Sequence, residues 1–321
     1  MIGAHQPQNA TRGWIIISIR WAAAIAVLAI LLHFLPVAPL RSALAQVPLT
    51  RFIIILVGYG IAHFMGIVKW RMVVNAAGAE LNFATSVQCY TGGLFGTLFL
   101  PSIVGGDVVR LAVGLRRSPR PAAVFAGNIA DRFLDVCAQG GLVLLGLILL
   151  PGSVPQQLQS AARHVLLAFA VLGIIFILLA LLLYKPILRG RSIRFRRRIA
   201  RLRYALRAVS KRPHILFFGW ILGTGVQAML LLLAALLAIS CGLILPLRIW
   251  LFATPLAKLA AILPLTQGGI GVREAALVAL LAPFGAPGPL VLAAGLAWEG
   301  IIIAGNLIAG GVAFLLRRFE S

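Results

Sequence analysis

Leu100-Pro101-Ser102-Ile103-Val104-Gly105-Gly106-Asp107-Val108-Val109-Arg110 and Leu263-Pro264-Leu265-Thr266-Gln267-Gly268-Gly269-Ile270-Gly271-Val272-Arg273 are two copies of one pattern, L-P-x-x-x-G-G-x-x-x-R, at an offset of 163 residues. Each copy breaks a long apolar region, 84–115 in the first case and 249–281 in the second. Pro ends a helix because it lacks an N–H and its ring clashes with the preceding turn. The Gly pair lets the chain reverse and leaves backbone N–H groups open. Each region therefore predicts two half-helices joined by a turn. The same offset carries the apolar run starting near 52 onto one near 215, and residue 121 onto 284, close to the last run. The pattern predicts a repeat of span, span, hairpin, span, used twice.

The composition fits a chain buried in lipid. Of 321 residues, 61% are hydrophobic and only 11% charged, with a mean hydropathy of +1.02. That leaves too little polar surface to cover a soluble globule of this size, so the chain reads as an all-α polytopic membrane protein. The net charge of +22 would suit a nucleic-acid binder if the basic residues shared one solvated face. Here they fall between apolar stretches instead. Cys89, Cys137 and Cys241 lie far apart inside apolar segments and read as packing residues, with no disulfide or metal spacing.

A bilayer core of ~30 Å needs roughly 20 helical residues. Six stretches qualify, at 14–35, 52–74, 121–150, 164–184, 214–240 and 290–316. The first has a rival reading as a signal peptide, with Arg12 and Arg20 ahead of the run and Ala43-Leu44-Ala45 resembling a cleavage site. A retained anchor fits the start of the run at Trp14, since an Arg near a helix end can snorkel.

Basic residues orient the chain. With the N-terminus cytoplasmic, twenty of the 29 Lys+Arg fall on the cytoplasmic side, Lys69 and Arg71 among them. Arg41, Arg51, Arg163 and Arg248 fall on the other side, and Arg20, Arg110, Arg132, Lys258 and Arg273 lie within apolar segments. This bias requires region 84–115 to return to the cytoplasmic side and region 249–281 to return to the external side. Both then read as re-entrant hairpins in an inverted repeat, with irregular backbone tolerated at membrane depth only against protein or a wet cavity. The organisation is a first half over 1–184, a basic linker over 185–213, and a second half over 214–321.

Broken segments at matching positions of two inverted halves point to a transport site near the midplane. Gly105, Gly106, Gly268 and Gly269 would open backbone N–H groups at half-helix starts, with Arg110 and Arg273 about one turn further on. Helix N-termini and arginines together suit a phosphate or carboxylate, and an anionic lipid headgroup is the natural ligand here. The other charges at membrane depth are Asp131, Arg132, Asp135, Lys258, Glu274 and Glu299. Such groups are functional candidates because leaving them unpaired is costly. Asp131 and Asp135 share a helix face and either serve transport directly or neutralise the arginines. Asp107 joins this coupling or charge-pairing set, and is placed to cap its half-helix in preference to contacting substrate. Lys258 either meets a headgroup or pairs with Glu299.

The linker carries twelve basic residues between Lys185 and Arg212, with Phe195, Ile199, Leu202, Leu206 and Val209 repeating at helical spacing. A basic amphipathic helix on the cytoplasmic face is expected to lie on anionic lipid, or else to be a solvated loop that only fixes topology. Beside two spans it is not read as a nucleic-acid site. No Walker A, HExxH or GxSxG sequence and no Cys/His metal spacing occurs, so the chain is not expected to be an enzyme or to carry a cofactor or metal.

The set L-P-x-x-x-G-G-D-x-x-R, then A-D-R-F-L-D, then L-P-x-x-x-G-G-I-G-x-R-E-A-A resembles the lysylphosphatidylglycerol synthetase transmembrane-region family of flippase-like bacterial and archaeal proteins. The likeness covers about residues 14–318. It implies a lipid-flipping protein of the cytoplasmic (inner) membrane, with both termini cytoplasmic by the charge tally. In family members with an attached synthetase domain, the unit moves aminoacylated phosphatidylglycerol. This chain stops at Ser321, so that substrate is not expected to carry over. The resemblance leaves anionic phospholipids and polyprenyl or isoprenoid lipids as partners. Rival readings are a small-molecule or ion secondary transporter using the same site, and a non-transporting membrane partner of a lipid-modifying enzyme.

Overall fold

The computed structural model describes residues 37–100, 105–150, 193–261 and 269–319, together with Ala29, Leu167 and Thr266. The expected spans at 14–35 and 164–184 fall outside the described residues apart from Ala29 and Leu167. So do residues 101–104, 262–265, 267–268 (with Gly268) and the linker's first residues, 185–192.

Among the described residues all regular structure is helical. The chain runs through α1 (Val37–Ala45), α2 (Leu49–Ala76), α3 (Phe83–Gly96), α4 (Gly105–Arg117) and α5 (Pro121–Leu149). After the linker come α6 (Ile193–Ser210), α7 (Pro213–Ser240), α8 (Leu247–Ala260), α9 (Val272–Leu281) and α10 (Gly288–Phe319). Local chemistry sets several starts. Pro occupies the first turn of α5 and of α7, where its missing N–H costs nothing. Asn82 caps α3 by accepting from the Thr85 N–H at 2.7 Å.

Length separates two kinds of helix. α2, α5, α7 and α10 have 28, 29, 28 and 32 residues. At 1.5 Å per residue they run roughly 42–48 Å, enough to cross a bilayer. These four are also apolar enough to do so, the last over Gly288–Arg317. α3, α4, α8 and α9 have 14, 13, 14 and 10 residues, roughly 15–21 Å, too short to cross alone. Along α2 the exposed side chains Ile53, Ile54, Val57, Ile61, Phe64 and Val68 form one apolar face, while Lys69 and Tyr59 are buried on the other. Apolar outside and polar inside is the arrangement of a helix bundle in lipid, and the chain is a multi-pass membrane protein.

The repeat is visible in the element order. Adding 163 to the ends of α2 gives 212–239, against 213–240 for α7, and to those of α3 gives 246–259, against 247–260 for α8. In each half a long helix leads into a pair of short helices and then another long helix. The short helices pack as hairpins, α3 on α4 and α8 on α9. Each hairpin's first arm also packs on the long helix that follows the hairpin of the opposite half, α3 on α10 and α8 on α5. Two glycines permit close crossings of α5 with α2 and with α8. A Cβ on Gly127 of α5 would stand 2.5 Å from Val74 Cα, and one on Gly146 would stand 2.7 Å from the Phe252 backbone N in α8.

The halves are inverted. Ser118 donates to Ala79 O at 2.8 Å and Arg120 pairs with Glu80, which ties the loop before the first hairpin to the loop after it. The first hairpin thus leaves and returns at the end of α2 near Ala76. At the opposite end of α2, Arg51 donates to Ser240 Oγ at 2.9 Å, where α7 finishes and the second hairpin begins. The hairpins therefore start from opposite ends of the bundle, about 42 Å apart along α2.

Two further helices, α1 and α6, flank the bundle among the described residues. α1 lays Leu40 and Ala43 into the core beside α10. α6 turns its apolar stripe inward: Ala205 and Val209 are buried, with Leu202 and Leu206 beside them, against residues of α2 and α5. The stripe expected to face lipid packs on the protein instead, leaving Arg197 and Arg201 exposed.

A mid-depth charged cavity as the candidate functional site

The hairpin ends meet at a cavity of about 350 Å³. α2 contributes Tyr59, His63, Gly66 and Lys69 at spacings of 4, 3 and 3, a single helical stripe. α5 contributes Asp131, Arg132, Asp135 and Gln139, α7 contributes Gln227, and α10 contributes Trp298, Glu299 and Asn306. Each group falls close to the middle of its long helix, so the cavity lies at mid-depth. The first hairpin lines it with Thr97, Asp107 and Arg110, and the second with Lys258 and Arg273.

The first-hairpin side holds three cations and three carboxylates. Asp131 is fully buried, with Lys69 Nζ 2.9 Å from Oδ1 and Arg110 Nη2 3.4 Å and Arg132 Nη2 3.6 Å from Oδ2. Asp107 takes Arg110 Nη2 at 3.0 Å and Arg132 Nε at 3.2 Å. Asp135 takes Arg132 Nη1 at 3.3 Å and forms a short hydrogen bond with Lys69. Arg110 is only 3% exposed, and its guanidinium lies 5.3 Å from the ring centres of both Trp70 and Tyr90. Arg132 differs: its side chain is 43% exposed although it stands mid-span.

The second-hairpin side is built on Arg273, which donates to Glu274 Oε1 through Nη2 at 2.7 Å and Nε at 3.1 Å, and also pairs with Glu299 of α10. Glu274 in turn accepts from the Gly271 N–H at 2.7 Å. The positive end of α9 is thus already met by the protein's own carboxylate. Lys258 donates to Gln227 Oε1 at 2.9 Å.

The two repeat arginines play matching parts. Arg110 on α4 reaches Asp131 of α5, and Arg273 on α9 reaches Glu299 of α10. Each fastens its hairpin to the long helix that follows. The two arginines expected to meet an anion each already hold a carboxylate of the protein. Asp107, in the first turn of α4, stands in ion pairs with Arg110 and Arg132, which fits its reading as a charge-pairing residue. The contemplated Lys258–Glu299 pair gives way to Lys258–Gln227, Glu299 being taken by Arg273. Asp131 and Asp135 both stand in ion pairs with these cations.

The glycines serve packing and turning. A Cβ on Gly106 would stand 2.6 Å from Gly93 O, where the arms of the first hairpin cross, and Gly105 presses on Leu100. Gly269 and Gly271 have φ of +80° and +84°, a region that costs a side chain about 1–2 kcal/mol. The reversal before α9 uses both.

Lys69 was misplaced by the charge tally. It is 3% exposed and points into the cavity, not into a cytoplasmic loop. The signal was present: Met72-Val73-Val74 follows it, so the apolar run continues past the lysine. Sequence reasoning also missed the polar links Tyr59 Oη to Asn306 Oδ1 and Asn306 Nδ2 to Thr97 Oγ1, both 2.9 Å, which tie α2, α10 and the first hairpin together. Single Tyr, Asn and Thr residues in apolar runs carry no motif.

Among known proteins, the profile of one family, described as the lysylphosphatidylglycerol synthase TM region, matches residues 17–310. No curated protein matches the chain.

Proposed function

The chain belongs to the lysylphosphatidylglycerol synthase TM region family, and from that premise we propose that it moves the headgroup of an anionic or phosphate-bearing lipid across the cytoplasmic membrane. One observation carries the reading: a cavity with charged side chains in its wall at mid-depth of four long apolar helices, lined by the ends of two inverted hairpins. A charged headgroup cannot cross hydrocarbon unaided, because leaving water costs an ion several kcal/mol. A cavity half-way across, with cations and carboxylates in its wall, replaces that lost hydration.

In this reading the hairpins are re-entrant and open in turn, each toward its own side. Arg110–Asp131 and Arg273–Glu299 are the latches that release them, and a headgroup phosphate competes with the carboxylates for the arginines. Arg132, half-exposed at mid-span, marks the side on which a headgroup passes in while the acyl chains stay in the bilayer. The protein is not an enzyme, and it carries the lipid made by other proteins. The termini and α6 face the cytoplasm, in keeping with the arginines left exposed on α6.

The test is headgroup movement by the purified chain in liposomes of phosphatidylcholine with a trace of fluorescent phosphatidylglycerol, read by an impermeant quencher. The proposal expects the quenched fraction to rise from half toward completeness when protein is present. A fraction that stays at half in protein-containing vesicles refutes it.

A further inference from the structure

We infer that Lys258, with Gln227 beside it, is the group by which the cavity selects its cargo, and that the cargo carries one negative charge of the phosphodiester kind. This rests on the translocation reading and deepens it.

Lys69, Arg110, Arg132 and Arg273 each stand within 3.6 Å of at least one carboxylate oxygen. Lys258 has no carboxylate within 4.0 Å among the described residues, and its hydrogen bond goes to a neutral amide. The segments at the two hairpin turns, Pro101-Ser102-Ile103-Val104 and Ile262-Leu263-Pro264-Leu265, contain no acidic residue, nor do Gln267 and Gly268. An ammonium held at mid-depth by a neutral acceptor touches no carboxylate, which leaves it open to an arriving anion.

Gln227 strengthens the case. Its carbonyl oxygen accepts from Lys258, which leaves its NH2 group as a second donor in the same wall. Gln227 is near the centre of α7, and Lys258 is near the inner end of α8, so the pair sits deep, far from both ends of α7. The repeat does not dictate it. At the offset of 163 residues, Lys258 corresponds to Phe95 and Gln227 to Phe64. The arginines are duplicated and the lysine is not, so the lysine belongs to the cargo of this chain and not to the architecture.

The charge of the cargo follows from the remainder of the site. Without Lys258 it holds four cations and five carboxylates, the fifth being Glu274 behind Arg273. With Lys258 the wall holds five of each and is neutral before cargo arrives, so one negative charge on the cargo, in contact with Lys258, takes it to minus one. A second would face a wall already negative by one. A phosphodiester headgroup with a net charge of minus one and two acceptor oxygens fits; one whose own ammonium cancels that charge, as in phosphatidylcholine, and a phosphomonoester dianion are disfavoured.

The test is calorimetric titration of the purified chain in detergent with dioctanoyl phosphatidylglycerol, dioctanoyl phosphatidylcholine, dioctanoyl phosphatidic acid and glycerophosphoglycerol. The native chain is expected to bind phosphatidylglycerol at least roughly tenfold more tightly than phosphatidylcholine, the worth of one hydrogen bond to a charged group. Phosphatidic acid should bind no more tightly than phosphatidylglycerol. Lys258→Gln should remove the preference, Lys258→Arg should keep it, and Gln227→Ala should weaken it. A preference that survives Lys258→Gln overturns the assignment. If Lys258→Gln does not fold, the Gln227→Ala titration decides in the same way. Tighter binding of phosphatidic acid overturns the single-charge claim. Glycerophosphoglycerol binding as tightly as the lipid overturns the lipid claim and makes the cargo a soluble phosphodiester.

Translocation of fluorescent phosphatidylglycerol by the same preparations separates the two levels. A Lys258-dependent binding preference without translocation refutes the translocase and leaves the lysine in place. Translocation whose headgroup preference survives Lys258→Gln refutes the lysine and leaves the translocase.

Discussion

Replacing Asp131 by Asn tests whether the charges of the first hairpin are held as one balanced set. Its carboxylate is fully buried and meets three cations, Lys69 at 2.9 Å, Arg110 at 3.4 Å and Arg132 at 3.6 Å. The amide keeps the shape and removes one charge, so the set of three cations and three carboxylates becomes positive by one. Breaking a buried ion pair by removing one partner costs about 3–5 kcal/mol, mostly for the charge left behind. Lys69→Met breaks the balance in the opposite sense and should cost about the same. The double variant restores neutrality. It should therefore lose about 4–7 kcal/mol, short of the 6–10 kcal/mol expected from independent losses, with a coupling energy of about 2–3 kcal/mol. The assay is equilibrium unfolding in mixed micelles followed by circular dichroism, on the native chain, both single variants and the double. Additivity within about 0.5 kcal/mol would refute the reasoning, as would a loss below about 1 kcal/mol for Asp131→Asn.

Other outcomes follow from the packing and the turns. Gly146→Ala should cost about 1–3 kcal/mol in the same assay, because its Cβ would stand 2.7 Å from the Phe252 backbone. Gly140→Ala in the same helix, where nothing lies within 4 Å, should be neutral or stabilising by up to about 1 kcal/mol. Gly271→Ala, at φ +84°, should cost about 1–2 kcal/mol and slow headgroup movement by loosening the start of α9. Tyr59→Phe should cost about 1 kcal/mol, since it leaves Asn306 Oδ1 without its donor at mid-depth.

The architecture was legible because its causes are periodic and compositional. Apolar runs of fixed length set α2, α5, α7 and α10, and the doubled Leu-Pro and Gly-Gly breaks set the hairpins within a few residues of their observed ends. The site was legible in its membership and not in its pairing. Every charged candidate that the sequence singled out lines the cavity or, like Glu274, stands directly behind it. Which carboxylate neutralises which cation depends on how α4 lies on α5 and α9 on α10, and no spacing along the chain encodes that. Arg110 and Arg273 looked alike and are alike, yet what they share is a counterion on the next helix. Lys69 escaped because a charge near the end of a span was counted as a loop charge, whereas α2 runs past it to Ala76. α6 shows the opposite error: its stripe was read as lipid-facing, but Ala205 and Val209 lie against the protein.

The central claim is that a lipid headgroup occupies the cavity at mid-depth. Two phosphatidylglycerol probes test it in proteoliposomes, one with a diazirine on the headgroup and one at the acyl-chain end, with the labelled residues mapped by peptide mass spectrometry. The account predicts that the headgroup probe labels residues such as Gln227, Lys258 and Trp298, while the chain-end probe labels the outward apolar faces. Labelling by the headgroup probe confined to the helix ends, with the cavity residues untouched, would contradict it.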